Sequence, residues 1–356
     1  MTILHICGVE NKMSNGATVA VLNHVNEQAK ADMADILVLH IKDEILDWNE
    51  KVKPVKAADF QNVLQKTDLI VFHEIYYMPF FKMAKAAYKA GVPYVVIPHG
   101  GLTDGAQTQL KYAKIVVNFL WAKKYISQAA GIQFLSDKER STSRKWNANA
   151  FISPNGVSVP ETYKCNFNAD EPGLRLIFIG RINLFYKGLD ALVEAAKSIA
   201  DEMRSKQISV GIYGPKEGDD RAKLEQMVAE ANLNDVMKIH DGVFGEDKAK
   251  VMLDADAFIQ PSRSEGMPMG ILDAMAIGLP VIVSPGTSFD RDVLENDCGW
   301  VCECEASEIA DTILQVYKQK DMLAAKSHNA REYVDENFRW DKVARDTLDK
   351  YIEIKK

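Results

Sequence analysis

Residues 257–285, AFIQPSRSEGMPMGILDAMAIGLPVIVSP, spell out a strand, a loop, a helix and a second strand. AFIQ is a short apolar run bounded by Pro261 and Ser262, the pattern of a buried strand. A run of helical composition, Met269 to Ile277, follows the loop; Gly278 and Pro280 stop it, and VIVS reads as the next strand. Glu265 stands in the loop before the helix, and Asp273 lies eight residues further on, inside it. The N–H groups and dipole at a helix start attract anions, phosphates above all. Carboxylates beside them accept hydrogen bonds from hydroxyls. Together they suit a ligand carrying both groups, such as a nucleotide sugar.

Within this stretch, SEGMPMGILDAMAIGLPVI resembles the signature of the retaining family-4 glycosyltransferases of the GT-B fold, glycosyl transferases group 1. The family pattern is a Glu, seven residues, and a second Glu; here Glu265 holds the first place and the shorter Asp273 the second. The resemblance implies an α/β architecture of two Rossmann-like, doubly wound domains facing an interdomain cleft. It also implies that Glu265 orients the transferred sugar, while Gly266, Met267, Met269, Gly270 and Asp273 contact the donor.

The chain has 356 residues, enough for about two domains, since single cores rarely grow past roughly 250–300 residues. A net charge of −7 argues against a nucleic-acid partner. TILHIC enters a strand without a basic leader, and five cysteines point to reduced thiols, so the expected location is cytoplasmic. Cys302 and Cys304 alternate along an expected strand, GWVCEC, and lack the spacing of a zinc site.

Strand and helix patterns alternate along both halves, which implies parallel sheets covered on both faces. In the first half TILHICG, DILVLHI, DLIVFHE, PYVVIPHGG, GIQFLS and FISPNGV read as strands or strand ends. LRLIFIGR, ISVGIYGP and VMKIHDGV do so in the second, and GLDALVEAAKSIADEM reads as one helix. The polar segment 159–173 is the best boundary. The expected division is a first, acceptor domain over 1–162, a donor domain over 163–339, and a last helix over 340–356 that crosses back to the first, as the resemblance implies.

In FIGRINLFYKGLD, Arg181 stands just past a strand's carboxyl end and Lys187 six residues on, before a helix. Ligands of open α/β sheets bind outside those ends, where two fixed cations can neutralise a diphosphate. The pair resembles the family's Arg/Lys grip on the donor pyrophosphate. In PHGG, His99 is followed by Gly100 and Gly101, which allow a ligand close approach; the resemblance gives His99 the role of facing the transferred sugar. The loop Gly8 to Ala17 lacks GxGxxG, which argues against a nicotinamide cofactor, but Gly16 can present N–H groups to a phosphate. Gly214 and Pro215 end a strand where the resemblance places the donor's base or ribose. Asn155-Gly156-Val157 resembles the family's NGV turn, and its plainer job is a tight turn. Asp254 and Asp256 sit at a helix–strand junction, where the family has an Asp for structural reasons. Lys111 to Ile126, KYAKIVVNFLWAKKYI, is basic, aromatic and helical in period; it suits either an anionic membrane surface or a core helix with snorkelling lysines.

The resemblance thus implies retaining transfer of a sugar from a nucleoside-diphosphate sugar, UDP among the candidates, to a glycan or polyprenyl-linked hydroxyl in surface polysaccharide or glycoconjugate biosynthesis. No metal or other cofactor is expected. The alternatives are a catalytically inactive nucleotide-sugar-binding subunit and a GT-B-fold nucleotide-sugar epimerase.

Overall fold

The computed structural model describes residues 1–11, 16–108, 110–167, 170–216 and 218–355. They form two units, Met1–Gly156 with Trp340–Lys356, and Val157–Arg339. The first boundary therefore falls at Gly156/Val157, a few residues before the expected 162/163.

The first unit holds a parallel sheet of β1 (Thr2–Cys7), β2 (Asp35–His40), β3 (Lys53–Val55), β4 (Leu69–His73), β5 (Tyr94–Ile97), β6 (Gly131–Phe134) and β7 (Ala150–Ile152). Its order is β3-β2-β1-β4-β5-β6-β7. The second holds β8 (Leu174–Ile179), β9 (Ile208–Tyr213), β10 (Met237–His240), β11 (Ala257–Gln260), β12 (Val281–Val283) and β13 (Gly299–Val301), in the order β10-β9-β8-β11-β12-β13. Each strand order reverses beside the unit's first strand, the topology of a Rossmann-like sheet. Central strands such as LIVFH and AFIQ are buried along their whole length, as helices on both faces require.

Three local expectations change. Lys53–Val55 is an unforeseen edge strand: three residues with a proline give no periodic signal, and an edge is where a strand tolerates Pro54. The expected single helix after Lys187 is two, Leu189–Ser198 and Ala200–Ser205, broken at Ile199. β13 ends at Val301, so Cys302 and Cys304 lie beyond it rather than alternating along it.

The last helix, Trp340–Lys355, packs on the first, Gly16–Lys30. Trp340 meets the His24 ring edge-on at 5.1 Å, and a Cβ on Gly156 would come within 2.5 Å of the indole. Asn155 is buried and its Oδ1 lies 3.0 Å from His24 Nε2, so the NGV turn seats the returning helix. Lys355 pairs with Asp68 at 2.8 Å, and Tyr351 donates to Gln133 Oε1 at 2.6 Å. Trp340→Ala is expected to destabilise the first unit by about 3–5 kcal/mol, the usual cost of emptying a buried aromatic site. Urea unfolding followed by a probe in that unit checks it; a midpoint within error of the parent would show that the helix contributes little there.

Candidate functional site

The carboxyl ends of β8, β9, β10 and β11 lie side by side in the second unit, and the polar loops that leave them build the site. Gly188 sets the first loop. Its φ is +66°, and a Cβ there would lie 2.1 Å from the Pro261 carbonyl oxygen, so only glycine lets this loop close onto the one after β11. Arg263 N–H donates to the Tyr186 carbonyl at 2.9 Å, joining the same two loops.

That closure brings Lys187 Nζ to 2.7 Å from Glu265 Oε1, with the two side chains 17% and 13% exposed. Ser262 Oγ and Gln260 Nε2 also donate to Glu265 Oε1, at 2.9 and 3.3 Å. Sequence reading singled out neither; a Gln at the end of an apolar strand, two residues before a Ser, was the available signal. Arg181 follows directly on Gly180, stands exposed, and makes no ion pair among the described residues. Three expected residues, Arg181, Lys187 and Glu265, therefore stand in the loops that leave β8 and β11, and Asp273 lies in the second turn of the helix Met269–Ala276 that follows Glu265. Gly266, Met267 and Met269 are partly exposed between Glu265 and the first turn of that helix, whose N-cap residue is Pro268 with no side-chain cap. Gly270 has a packing job as well: a Cβ would sit 3.0 Å from the Ile179 carbonyl oxygen.

Asp273 is ion-paired with Lys248, from the helix Gly245–Asp254, a partner that sequence reading missed because nothing in EDKAKV marks one lysine above another. Gly214 is fixed by a second unforeseen residue, the buried Arg221, whose Nη1 donates to the carbonyls of Gly214 and His240 at 2.9 and 3.1 Å. Beside it the Tyr213 and His240 rings stack at 4.5 Å, a flat surface at the ends of β9 and β10, with Pro215 partly exposed next to it. Asp256 accepts the Arg175 N–H at 2.7 Å and pairs with Lys164 at 3.4 Å, at the opposite, amino end of β8; these are structural contacts.

In the first unit His99 has φ +47° and is partly buried, with Gly100 at +81°. The buried Glu139 holds this loop, accepting from Gly100 N–H at 2.5 Å and Leu135 N–H at 2.7 Å; burial pushes its carboxyl pKa upward. Gly16 opens the first helix with open space around it, while residues 12–15 of the loop before it lie outside the described residues.

Residues 161–333 match the family described as glycosyl transferases group 1. The match runs through almost the whole of the second unit. The chain is 28% identical over 181 residues to a D-inositol 3-phosphate glycosyltransferase of Arthrobacter sp. strain FB24, covering 49% of this chain and 42% of that one. It is 28% identical over 197 residues to the putative colanic acid biosynthesis glycosyltransferase WcaL of Escherichia coli K12, covering 52% and 44%. The matched stretch thus spans less than half the length of these relatives. Among solved structures, sucrose-phosphate synthase from Thermosynechococcus elongatus superposes with a TM-score of 0.77 at 17% identity, covering 99% of each chain. Anabaena HepE in complex with UDP gives 0.73 at 18% identity, covering 99% of this chain and 100% of that one. The fold is GT-B.

In the second unit, Gly188→Ala is expected to lower stability by at least about 2 kcal/mol, since it combines a positive φ with a backbone clash. Denaturant titration measures it. An unchanged midpoint would mean that the two loops are not closed on each other in solution.

Proposed function

We propose that this protein is a retaining glycosyltransferase, moving a sugar from a nucleoside-diphosphate sugar to a hydroxyl of a glycan or polyprenyl-linked acceptor in surface polysaccharide or glycoconjugate biosynthesis. The observation that carries this reading is the Lys187–Glu265 pair at 2.7 Å beside the exposed Arg181, at the carboxyl edge of the second unit's sheet. Arg181 and Lys187 bind the diphosphate and stabilise the charge that grows on it as the anomeric C–O bond breaks. The acceptor oxygen bonds to the anomeric carbon on the face the diphosphate leaves, and the acceptor's proton passes to the leaving phosphate oxygen. Glu265 holds the sugar as positive charge develops, and Asp273 accepts from the ribose hydroxyls. His99 contacts the sugar and Gly16 a phosphate. The two cations and the helix start supply the positive potential, so no divalent metal is required. HepE's complex with UDP favours a uridine donor.

The test is release of free nucleoside diphosphate from a panel of nucleotide sugars, with and without acceptor sugars, in the presence of chelator. Acceptor-dependent release supports transfer; interconversion of nucleotide sugars without release would identify an epimerase, and binding without turnover an inactive subunit. Lys187→Ala and Arg181→Ala should each lower kcat/KM by about 2–4 kcal/mol. Glu265→Gln should lower kcat, while Asp273→Asn raises KM, because ribose contacts are alike in ground and transition states. The reverse pattern would exchange the roles of the two carboxylates.

The acceptor side offers a membrane-facing surface. Residues 111–127 form Lys111–Val117, a π-helical turn Asn118–Ala122, and Lys123–Ser127. Tyr112 and Phe119 are 84% and 85% exposed, and of this stretch Ala122, Tyr125 and Ile126 are buried, with Val117 partly so against the core. Trp121 stacks on Phe81 of the helix Met78–Ala90, which adds Lys82, Lys85 and Lys89; neither segment holds an acidic residue. Exposed aromatics among unopposed lysines, in a chain of net charge −7, suit an anionic lipid surface. No described helix is long and apolar enough to cross a membrane. The protein is expected to co-sediment with anionic phospholipid vesicles, not with zwitterionic ones, and Tyr112→Ser with Phe119→Ser should abolish it. Equal binding by the double variant would remove this surface from the assignment.

A further inference from the structure

Three histidines lie in line across the first unit's sheet: His5 on β1, His73 at the end of β4, and His99 just after β5, three adjacent strands. Their rings stack at 5.2 and 5.6 Å, within 27° and 22° of parallel. His5 Nδ1 lies 3.0 Å from His73 Nε2, and His73 Nδ1 lies 3.3 Å from His99 Nε2. At the far end His5 Nε2 is 3.2 Å from Gln28 Oε1. His5, His73 and Gln28 are wholly buried. Burial, with a smaller contribution from nearby His24, pulls His5 and His99 down to about 3; burial, then the neighbouring His5 and His99, holds His73 well below its usual value.

A neutral imidazole carries one N–H and one lone pair, so a chain of three must run in one direction. The direction is set outside the histidines. Gln133 Nε2 donates to the Ser153 carbonyl at 3.2 Å, which turns its Oε1 to the Tyr351 hydroxyl at 2.6 Å. With its proton used there, Tyr351 presents no donor to the Gln28 amide, whose nitrogen is buried without a hydrogen-bond partner and whose oxygen is the atom facing His5 Nε2. Gln28 therefore turns its oxygen to His5 and accepts from His5 Nε2–H. His5 Nδ1 then accepts from His73 Nε2–H, and His73 Nδ1 accepts from His99 Nε2–H. His24 stands beside the chain without joining it, its Nε2 bonded to Asn155.

We infer that Gln28, His5 and His73 are positioning residues that lock His99 in its Nε2–H tautomer, leaving Nδ1 as a hydrogen-bond acceptor toward the ligand. The consequence is a specificity rule: the group that meets His99 must be a donor, a sugar hydroxyl, and a deoxy or O-alkylated sugar is disfavoured there. The rule, unlike the tautomer, rests on the proposal that His99 contacts the transferred sugar.

The experiment is long-range 1H–15N NMR of ligand-free protein labelled at its seven histidines, which separates the two tautomers by nitrogen shift. The expected result is the Nε2–H form for His5, His73 and His99 at neutral pH, with Gln28→Met, which cannot direct the chain, allowing the other tautomer at His99. Gln28→Glu, which keeps an acceptor, should preserve the parent pattern. An Nδ1–H form at His99 in the parent protein overturns the inference without any variant, as does a folded Gln28→Met protein with an unchanged His99 spectrum. In turnover, a donor lacking the hydroxyl that meets His99 should lose about tenfold in kcat/KM, the value of one hydrogen bond. Indifference of kcat/KM to each single deoxygenation of the sugar, with the Nε2–H form observed, would refute the sugar contact and leave the tautomer assignment standing.

Discussion

A parallel sheet cannot be closed by hairpins; every strand must return over a face before the next begins, so all carboxyl ends open on one edge. That constraint decides where chemistry can collect in this chain. The central strands β1, β4, β5, β8 and β11 are apolar and largely buried, so polar side chains free to meet a ligand fall mainly in the loops that leave their carboxyl ends. Lys187 and Glu265 are 78 residues apart in sequence, as their numbers show, and meet because β8 and β11 are neighbours in the sheet.

The Lys187–Glu265 pair also has an electrostatic logic. Both side chains are mostly buried, so removing one would leave the other as an uncompensated charge, which costs far more than the pair itself contributes. A diphosphate would offer Lys187 a second anion. Glu265 would not be stranded by sharing it, because Ser262 and Gln260 already donate to the same carboxylate oxygen. The site is thus satisfied as it stands, and its cation can exchange partners at small reorganisation.

Much of this was legible in the sequence for a physical reason: a buried strand with a glycine-containing loop and a capless helix leaves few ways to fold, and AFIQPSRSEGMPMGILDAMA has that form. Arg181 and Lys187 were readable because strand ends are readable. What escaped were partners set by tertiary placement. Lys248 and Arg221 sit on helices where many exposed charges look alike, and only the packing of those helices against the sheet selects them. The three-residue strand Lys53–Val55 escaped because its structure comes from its neighbour β2 rather than from its own pattern. The break at Ile199 left no glycine or proline to mark it. His5 and His73 read as ordinary strand positions, and their alignment with His99 exists only once β1, β4 and β5 are side by side.

Asp273 shows how such tertiary partners alter the meaning of a motif. The shorter side chain at this position withdraws the carboxylate by one methylene toward its own helix, a change that taken alone weakens any reach to a ligand. Lys248 approaches from the neighbouring helix and engages Oδ2, so the carboxylate is held in one orientation instead of sampling several. A carboxylate has about four acceptor positions, and a single lysine uses one. The remaining oxygen, Oδ1, has no hydrogen bond among the described residues and is available to a hydroxyl. An anchored Asp thereby exchanges reach for preorganisation, which would lower the ordering cost of a contact with a ligand hydroxyl. In this chain, then, the unit to read at this position is the Asp273–Lys248 pair, and a Glu placed there would meet the same lysine with a longer arm and a different aim.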